Sequence, residues 1–259
     1  MLRVAALTSP GRLREVNEDT FTLLDLATGR LVPEGSWPVT LTTSAAVLGV
    51  YDGTGECTPG RSAGHVAARV IGEQLGTVPA SATDAELSRR LLDAVQAGHR
   101  AVFSINQATR RGTGTTATVV AISSQAARIA HIGDSRAYLF ASGELRQVTE
   151  DDTLTREMLA ESTLTPEEIE RFPLKNVITR VLGFMEEQDV PVTSLALRPG
   201  DVLILCTDGV SGMIGDRVIA AILAGHRDPS EACRALIEAA DEAGGHDNQT
   251  AVVALFEPG

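Results

Sequence analysis

The sequence is poor in aromatic residues, cysteine and cations, and it has no long hydrophobic run. Aromatics are 3% of 259 residues, which excludes base-stacking platforms for nucleic acid and leaves Val, Leu, Ile and Ala to fill any core. Three cysteines, Cys57, Cys206 and Cys233, are too few and too odd in number for a disulfide framework. Lys and Arg total 22 against 34 Asp and Glu, a net charge of −12. That balance excludes a protein that displaces counterions from nucleic acid or docks on membranes through a polybasic face. The apolar runs fall far short of the roughly 20 residues of a membrane span, and the opening residues lack the apolar stretch of a signal peptide. What is present is 43% apolar residues, enough for a core and against disorder. These limits predict a cytoplasmic, reduced protein of one or two domains that binds neither nucleic acid nor membrane.

No linker or internal repeat divides the chain. Residues 3–8, 20–26 and 46–51 read as strands. Residues 27–45 read as a loop or hairpin excursion, broken by Gly29, Pro33, Gly35 and Pro38. Helical spacing covers 60–75 and 84–107, the second carrying Leu87, Leu91, Val95 and Val102 on one face behind a cap at Thr83 or Asp84. Strands return at 115–122 and 128–132, and a hairpin turns at Ser142-Gly143 between 137–140 and 145–148. Residues 150–176 are acidic and partly helical, with Pro166 and Pro173, and read as an inserted flap. Strands at 192–197, 202–207 and 250–256 and helices at 216–224 and 230–243 complete an α+β layered pattern.

Acidic residues stand where these strands end. Glu18 and Asp19 precede the second strand, and Asp52 ends the 46–51 run. Asp134 follows 128–132, Asp208 ends 202–207, and Asp247 precedes the last strand. One Asp-Gly is a turn signal. A carboxylate at a buried strand end is costly unless something pairs it, and its repetition points to a shared cation. Oxygen ligands suit Mg²⁺ or Mn²⁺, whereas no His or Cys pair has the spacing of a zinc site. Two such ions about 3.5–4 Å apart hold a bridging hydroxide for in-line attack on phosphorus.

Seven segments in order carry a resemblance. They are Gly11-x-x-Arg14-x-x-Asn17-Glu18-Asp19, Val50-Tyr51-Asp52-Gly53-Thr54-Gly55, Gly114-Thr115-Thr116, Gly133-Asp134-Ser135-Arg136-Ala137-Tyr138, Thr179-Arg180-Val181-Leu182-Gly183, Pro199-Gly200-Asp201 with Leu205-Cys206-Thr207-Asp208-Gly209, and Asp247-Asn248-Gln249-Thr250. The chain resembles the metal-dependent protein phosphatases, the type 2C serine/threonine phosphatases of the bacterial kind, nearly end to end. The resemblance implies an α+β fold with two antiparallel β-sheets packed face to face and helices outside, a four-layer αββα sandwich. It implies one phosphatase domain over 1–259 with a flap at about 150–176.

The implied activity is metal-dependent hydrolysis of phosphoserine and phosphothreonine by a metal-bridging hydroxide. The implied cofactor is Mn²⁺ or Mg²⁺, two core ions and a third. By the same resemblance Asp52 bridges the core ions, and Asp208 and Asp247 complete the first site. The Gly53 carbonyl serves the second, with Glu18 ligating directly or through water and Asp19 holding bound water. Asp134 with Asp208 forms the third site, and Arg14 clamps the substrate phosphate with its guanidinium fork. Arg14 and Asp52 are thus the catalytic candidates. The implied partners are phosphorylated proteins, the targets of a Ser/Thr kinase, met by a monomer.

Asn248 is expected to orient Asp247 or cap its turn, Asp201 to sit in a turn, and Arg136 to pair with a carboxylate. His65, His99, His131 and His226 are expected in structural roles, with His246 at the rim of the site. Other phosphatase chemistries lack their residues. No cysteine has Arg six positions on, no Lys-Ser/Thr follows the 112–116 stretch, and no Asp-x-Asp-x-Thr/Val is present. Three departures stand out. Thr54, Glu56 and Cys57 occupy a loop that bacterial relatives write Asp-Gly-Met-Gly-Gly. Thr54 also stands where eukaryotic relatives carry His, which leaves the leaving-group acid unassigned. Asp151-Asp152 replaces Asp-His at the start of the flap. The altered loop is the support for an alternative, a non-catalytic phosphatase-like regulator that binds a phosphoprotein.

Overall fold

A strand buried on both faces needs apolar residues at every position rather than at alternate ones. The computed structural model describes residues 1–33, 39–54, 62–79, 82–110, 112–123, 126–161, 168 and 177–257. In it the strand β5 (Ala45–Tyr51) is buried at all seven positions. Its even residues Ala46, Leu48 and Val50 enter one apolar layer, and Ala45, Val47 and Tyr51 enter another. The period of two along a strand accounts for that division.

The other strands are β1 (Leu2–Ser9), β2 (Thr20–Asp25), β3 (Arg30–Leu31), β4 (Val39–Thr43), β6 (Gly53–Thr54), β7 (Gly114–Thr115), β8 (Ala117–Ser123), β9 (Ala126–Ile132), β10 (Arg136–Ala141), β11 (Glu144–Gln147), β12 (Val192–Ala196), β13 (Val202–Cys206) and β14 (Gln249–Phe256). Two six-stranded sheets form, ordered β11-β10-β13-β14-β1-β4 and β12-β9-β8-β5-β2-β3, and β6 pairs with β7 apart from them. Every pairing is antiparallel.

Between the sheets lies a layer that includes Val4, Leu23, Leu48, Val120, Leu205 and Val252. Helices α1 (Ala63–Leu75) and α2 (Asp84–Thr109) cover the second sheet, burying Ile71, Leu75, Leu91 and Val95 against it. On the first sheet lie α5 (Asp216–Gly225) and α6 (Pro229–Glu242), which bury Leu223 and Leu236. The result is the expected αββα sandwich. Helix starts follow their caps. Thr83 accepts from the Glu86 amide, and Asp228, ahead of Pro229, accepts from Ser230 and Glu231.

Three segments differ from the sequence reading. The 27–45 excursion is part of both sheets, because β3 folds back on β2 while β4 crosses to pair with β1. The first helix begins at Ala63, behind a cap at Ser62, three residues later than the 60–75 reading. The turn α4 (Asp208–Ser211) is one helical turn, too short for a periodic signal. In the flap region α3 (Leu154–Ala160) is helical, while Pro166 and Pro173 lie outside the described residues, as do Gly55, Glu56 and Cys57 of the metal loop. No helix among the described residues is long and apolar enough to cross a membrane.

Antiparallel pairing sets the polarity of the sandwich. Thr20 sits opposite Tyr51, Ala117 opposite Ile132, Arg136 opposite Cys206, and Ser9 opposite Gln249. The segments holding Asp19, Asp52, Asp134, Asp208 and Asp247 therefore all leave the sheets at one end.

Candidate metal and phosphate site

Each acidic side chain is held by backbone that the sheets fix. Asp52 joins β5 to β6. Its amide donates to Thr116 Oγ1 at 3.0 Å, and its carbonyl accepts from the Thr116 amide and Thr115 Oγ1, each at 3.0 Å. Asp208 opens α4 directly behind β13, where Gly209 lies so close to the Asn248 carbonyl that a Cβ there would collide with it. Asp134 follows Gly133 in the turn from β9 to β10, 8% exposed, and its Oδ1 is buried with no hydrogen-bond partner. Asp19, 2% exposed, accepts at Oδ2 from Thr207 Oγ1 at 2.7 Å and Thr250 Oγ1 at 2.9 Å.

The loop between β1 and β2 is clamped to the 245–248 turn. Arg12 donates its amide to the Gly245 carbonyl at 2.9 Å. Asn248 Nδ2 donates to the Pro10 and Val16 carbonyls at 3.1 and 3.0 Å, and its Oδ1 accepts from the Glu18 amide at 2.8 Å. Asn248 thus positions Glu18 and the loop, a wider role than orienting Asp247. Gly11, at φ +73°, packs on the Asp247 carbonyl, where a side chain would not fit. The clamp brings Arg14 Nη2 to 2.9 Å from Asp247 Oδ2.

The sequence-predicted residues Arg14, Glu18, Asp19, Asp52, Gly53, Asp134, Asp208 and Asp247 are brought together. Their fields show it. Asp52 is driven well above the usual carboxylate range by burial, then by Asp19, Asp208, Asp134 and Asp247. Burial, with Asp208 and Asp151 beside it, raises Asp134 to about 7. Burial raises Asp19 to about 8 against the pull of the two threonine hydroxyls. Glu18 is raised by burial, with Arg14 opposing and Asp247 adding. Asp208 is raised by burial and Asp247, while Asp52 stands within hydrogen-bonding reach of it. Among the described residues no three acidic, His or Cys side chains converge on one point as a ready-made cage; the carboxylates form a looser acidic ring, near enough to raise one another.

Residues around this ring answer the remaining expectations. Arg136 pairs with Asp151, its Nη2 at 2.6 Å from Oδ2. Asp152 accepts from the Gly133 amide at 2.9 Å and pairs with Arg180 at 3.1 Å. Both flap-base aspartates are thus bound to the frame. His65 contacts Ser62, His99 accepts from the Gly183 amide, His131 lies between Thr118 and the Glu150 carbonyl, and His246 is exposed beside Gly244. Asp201 accepts from the Arg198 amide in its turn. Thr207 and Thr250 stood inside the recognised motifs with no role given them. The signal for them was polar residues at inward strand positions that are otherwise apolar.

The donor set is all oxygen and strongly like-charged, with a buried carboxylate oxygen left unpaired. That chemistry fits hard divalent cations. An αββα sandwich with such an acidic ring at one end and an arginine docked on its rim is the pattern of the metal-dependent phosphatases as a class. The model of the family described as "Protein phosphatase 2C" matches residues 36–251, and the chain belongs to that family. It is similar to the serine/threonine protein phosphatase PstP of Mycobacterium tuberculosis, 32% identical over 98% of this chain and 45% of that protein. It is also similar to the serine/threonine phosphatase stp of Listeria monocytogenes, 29% identical over 95% of this chain and 92% of that one. The chain therefore spans less than half the length of the first relative and nearly all of the second. A crystal structure of the PstP catalytic domain in complex with two manganese ions superposes with a TM-score of 0.78, at 31% identity over 99% of both chains.

Proposed function

We propose that this chain is one catalytic domain over 1–259, with a flap at about 150–176, that hydrolyses phosphoserine and phosphothreonine in proteins phosphorylated by a Ser/Thr kinase. The observation that carries the reading is the contact of Arg14 with Asp247, which sets an anion-binding fork against the acidic ring. Asp52, Asp208 and Asp247 would hold a first Mn²⁺ or Mg²⁺ ion. Asp52, the Gly53 carbonyl and Glu18 would hold a second, with Asp19 behind them, and Asp134 with Asp208 a third. When bound, such ions supply Lewis acidity and make water a nucleophile at neutral pH.

The side chains of this chain do the rest. Arg14 presents planar N–H donors that fit two phosphate oxygens, and its tie to Asp247 fixes which way the fork faces. Asn248 holds the loop that carries Arg14, so the phosphate position is set by the same turn that sets Asp247. Thr115 and Thr116 fix the Asp52 backbone, which limits its carboxylate to one approach.

The test is Mn²⁺-dependent turnover of a phosphothreonine peptide by wild type and by Asp208→Ala. Turnover by wild type and its loss in the variant is the expected result. Absence of turnover in wild type, or equal turnover in both, overturns the reading.

A further inference from the structure

Across three neighbouring strands of the first sheet the inward positions fall in rows. Val4 lies beside Ala254 and Ala254 beside Leu203, while Ala6 lies beside Val252 and Val252 beside Leu205. All six belong to the apolar layer between the sheets. The next row towards the acidic ring is Thr8, Thr250 and Thr207. Thr8 pairs with Thr250, and the Thr207 amide donates to the Thr250 carbonyl at 3.1 Å. Apolar packing thus stops one row short of the site, and Asp19 from the other sheet meets the threonines there.

The hydrogens in this row have fixed directions. Asn17 Nδ2 can only donate, so Thr8 Oγ1 accepts from it at 2.8 Å. The Thr250 amide donates to Thr207 Oγ1 at 2.9 Å, which leaves the Thr207 hydrogen for Asp19 Oδ2 at 2.7 Å. Thr250 gives its hydrogen to Asp19 Oδ2 at 2.9 Å. Thr8 then gives its own to Thr250 at 2.8 Å. Two branches, Thr207 alone and Thr8 through Thr250, therefore converge on a single oxygen, and in the second branch Thr8 polarises Thr250. Asp19 Oδ1 takes no hydrogen bond among the described residues.

We propose that Thr207 and Thr250, backed by Thr8, are positioning residues that lock Asp19 by Oδ2 so that Oδ1 alone faces the cation site. The proposal rests on the reading of the acidic ring as that site. Without the two hydroxyls Asp19 is free to turn, and either oxygen can face the sheet.

The experiment compares wild type, Thr207→Val, Thr250→Val, Thr207→Ser and Thr250→Ser by Mn²⁺ titration calorimetry, with urea unfolding of each ion-free protein alongside. Valine keeps the strand and the shape while removing the hydroxyl. Each valine variant is expected to bind Mn²⁺ roughly tenfold more weakly, the usual loss when an outer partner of a ligand is removed. Each serine variant keeps the donor and is expected within about threefold of wild type. Valine variants with wild-type affinity, or serine variants as weak as the valine ones, overturn the proposal. Should the valine variants fail to fold, Thr8→Val decides in their place. It removes only the donor behind Thr250, so a loss of about two- to threefold is expected and unchanged affinity overturns. A wild type that takes up no Mn²⁺ overturns the reading of the whole site, a result distinct from wild-type uptake with unaffected variants.

Discussion

Arg14 and Asp247, 233 positions apart in the chain, meet at 2.9 Å with both side chains about half exposed. The pair is open to solvent, so its own contribution to stability is small. Its value lies in orientation, because the guanidinium is already turned towards the ring before an anion arrives. Arg14→Ala is expected to lower kcat/KM by about 10²–10³, the cost of losing one charged donor at a reacting group. The urea midpoint should stay near wild type, and Arg14→Lys should recover only part of the rate because Lys lacks the fork. Steady-state kinetics on a phosphopeptide checks this, and a change of less than twofold would remove Arg14 from the site.

Stability without ions should depend on pH with a definite sign. Burial first, and neighbouring carboxylates second, raise Asp134 to about 7 and Asp19 to about 8 from the ordinary 3.8. The folded state then binds protons that the unfolded chain has already released. The stabilisation is complete below about pH 4 and is lost as the pH rises through 7 to 8. The thermal midpoint of ion-free protein is expected to fall across that window, and Mn²⁺ should restore it by binding the folded state. A midpoint that stays level or rises contradicts the clustering of these carboxylates.

Arg136 is a second point of leverage. It reaches Asp151 through Nε at 3.0 Å to both oxygens and through Nη2, and it donates from Nη1 to the Tyr138 hydroxyl at 3.0 Å. Tyr138 passes its hydrogen to Asp216 at 3.1 Å, tying the sheet to α5. Arg136→Met leaves a largely buried Asp151 without its cation close to Asp134, with Gln147 Nε2 still donating to it at 2.8 Å. A loss of about 2–4 kcal/mol is expected by urea unfolding, since removing one partner of a buried pair costs more than the pair contributes. Asp151→Asn should cost less, because the amide still accepts from Arg136.

Gly209→Ala should be one of the most damaging single methyl additions. The new Cβ would overlap the Asn248 carbonyl, a backbone group that cannot swing aside as a side chain would. About 3 kcal/mol of stability is expected to go, at the upper end for overpacking, with Mn²⁺ affinity weakened because Asp208 and Asp247 are pushed apart. Calorimetric unfolding with and without Mn²⁺ measures both effects.

Much of this site is legible in the sequence because carboxylates at strand ends are anomalous one by one. Asp52 after Ala45–Tyr51 and Asp208 after Val202–Cys206 each break a buried apolar run. Antiparallel pairing then gathers them without any further instruction. What escaped was non-local or ordinary in type. β4 joins the opposite sheet from β3, and sheet membership has no local signature. Thr207 and Thr250 are common strand residues, so only the register that aligns them with Thr8 and Asp19 gives them meaning. Asp151 and Asp152 read as a departure from the family pattern, yet Arg136 and Arg180 each neutralise one of them.

The pairing of β1 with β14, Leu2 opposite Phe256, bears on how the protein is made. Arg14, Glu18 and Asp19 are synthesised well before Asp208, which follows β13, and Asp247, which lies just ahead of β14. The first sheet has β14 between β13 and β1, so it stays split until that strand is released. A partly synthesised or prematurely stopped chain has an unmatched β1 edge and only part of its acidic ring. Such long-range closure is slow relative to local helix formation. Closure of the first sheet, and with it a complete acidic ring, therefore waits on the synthesis of β14.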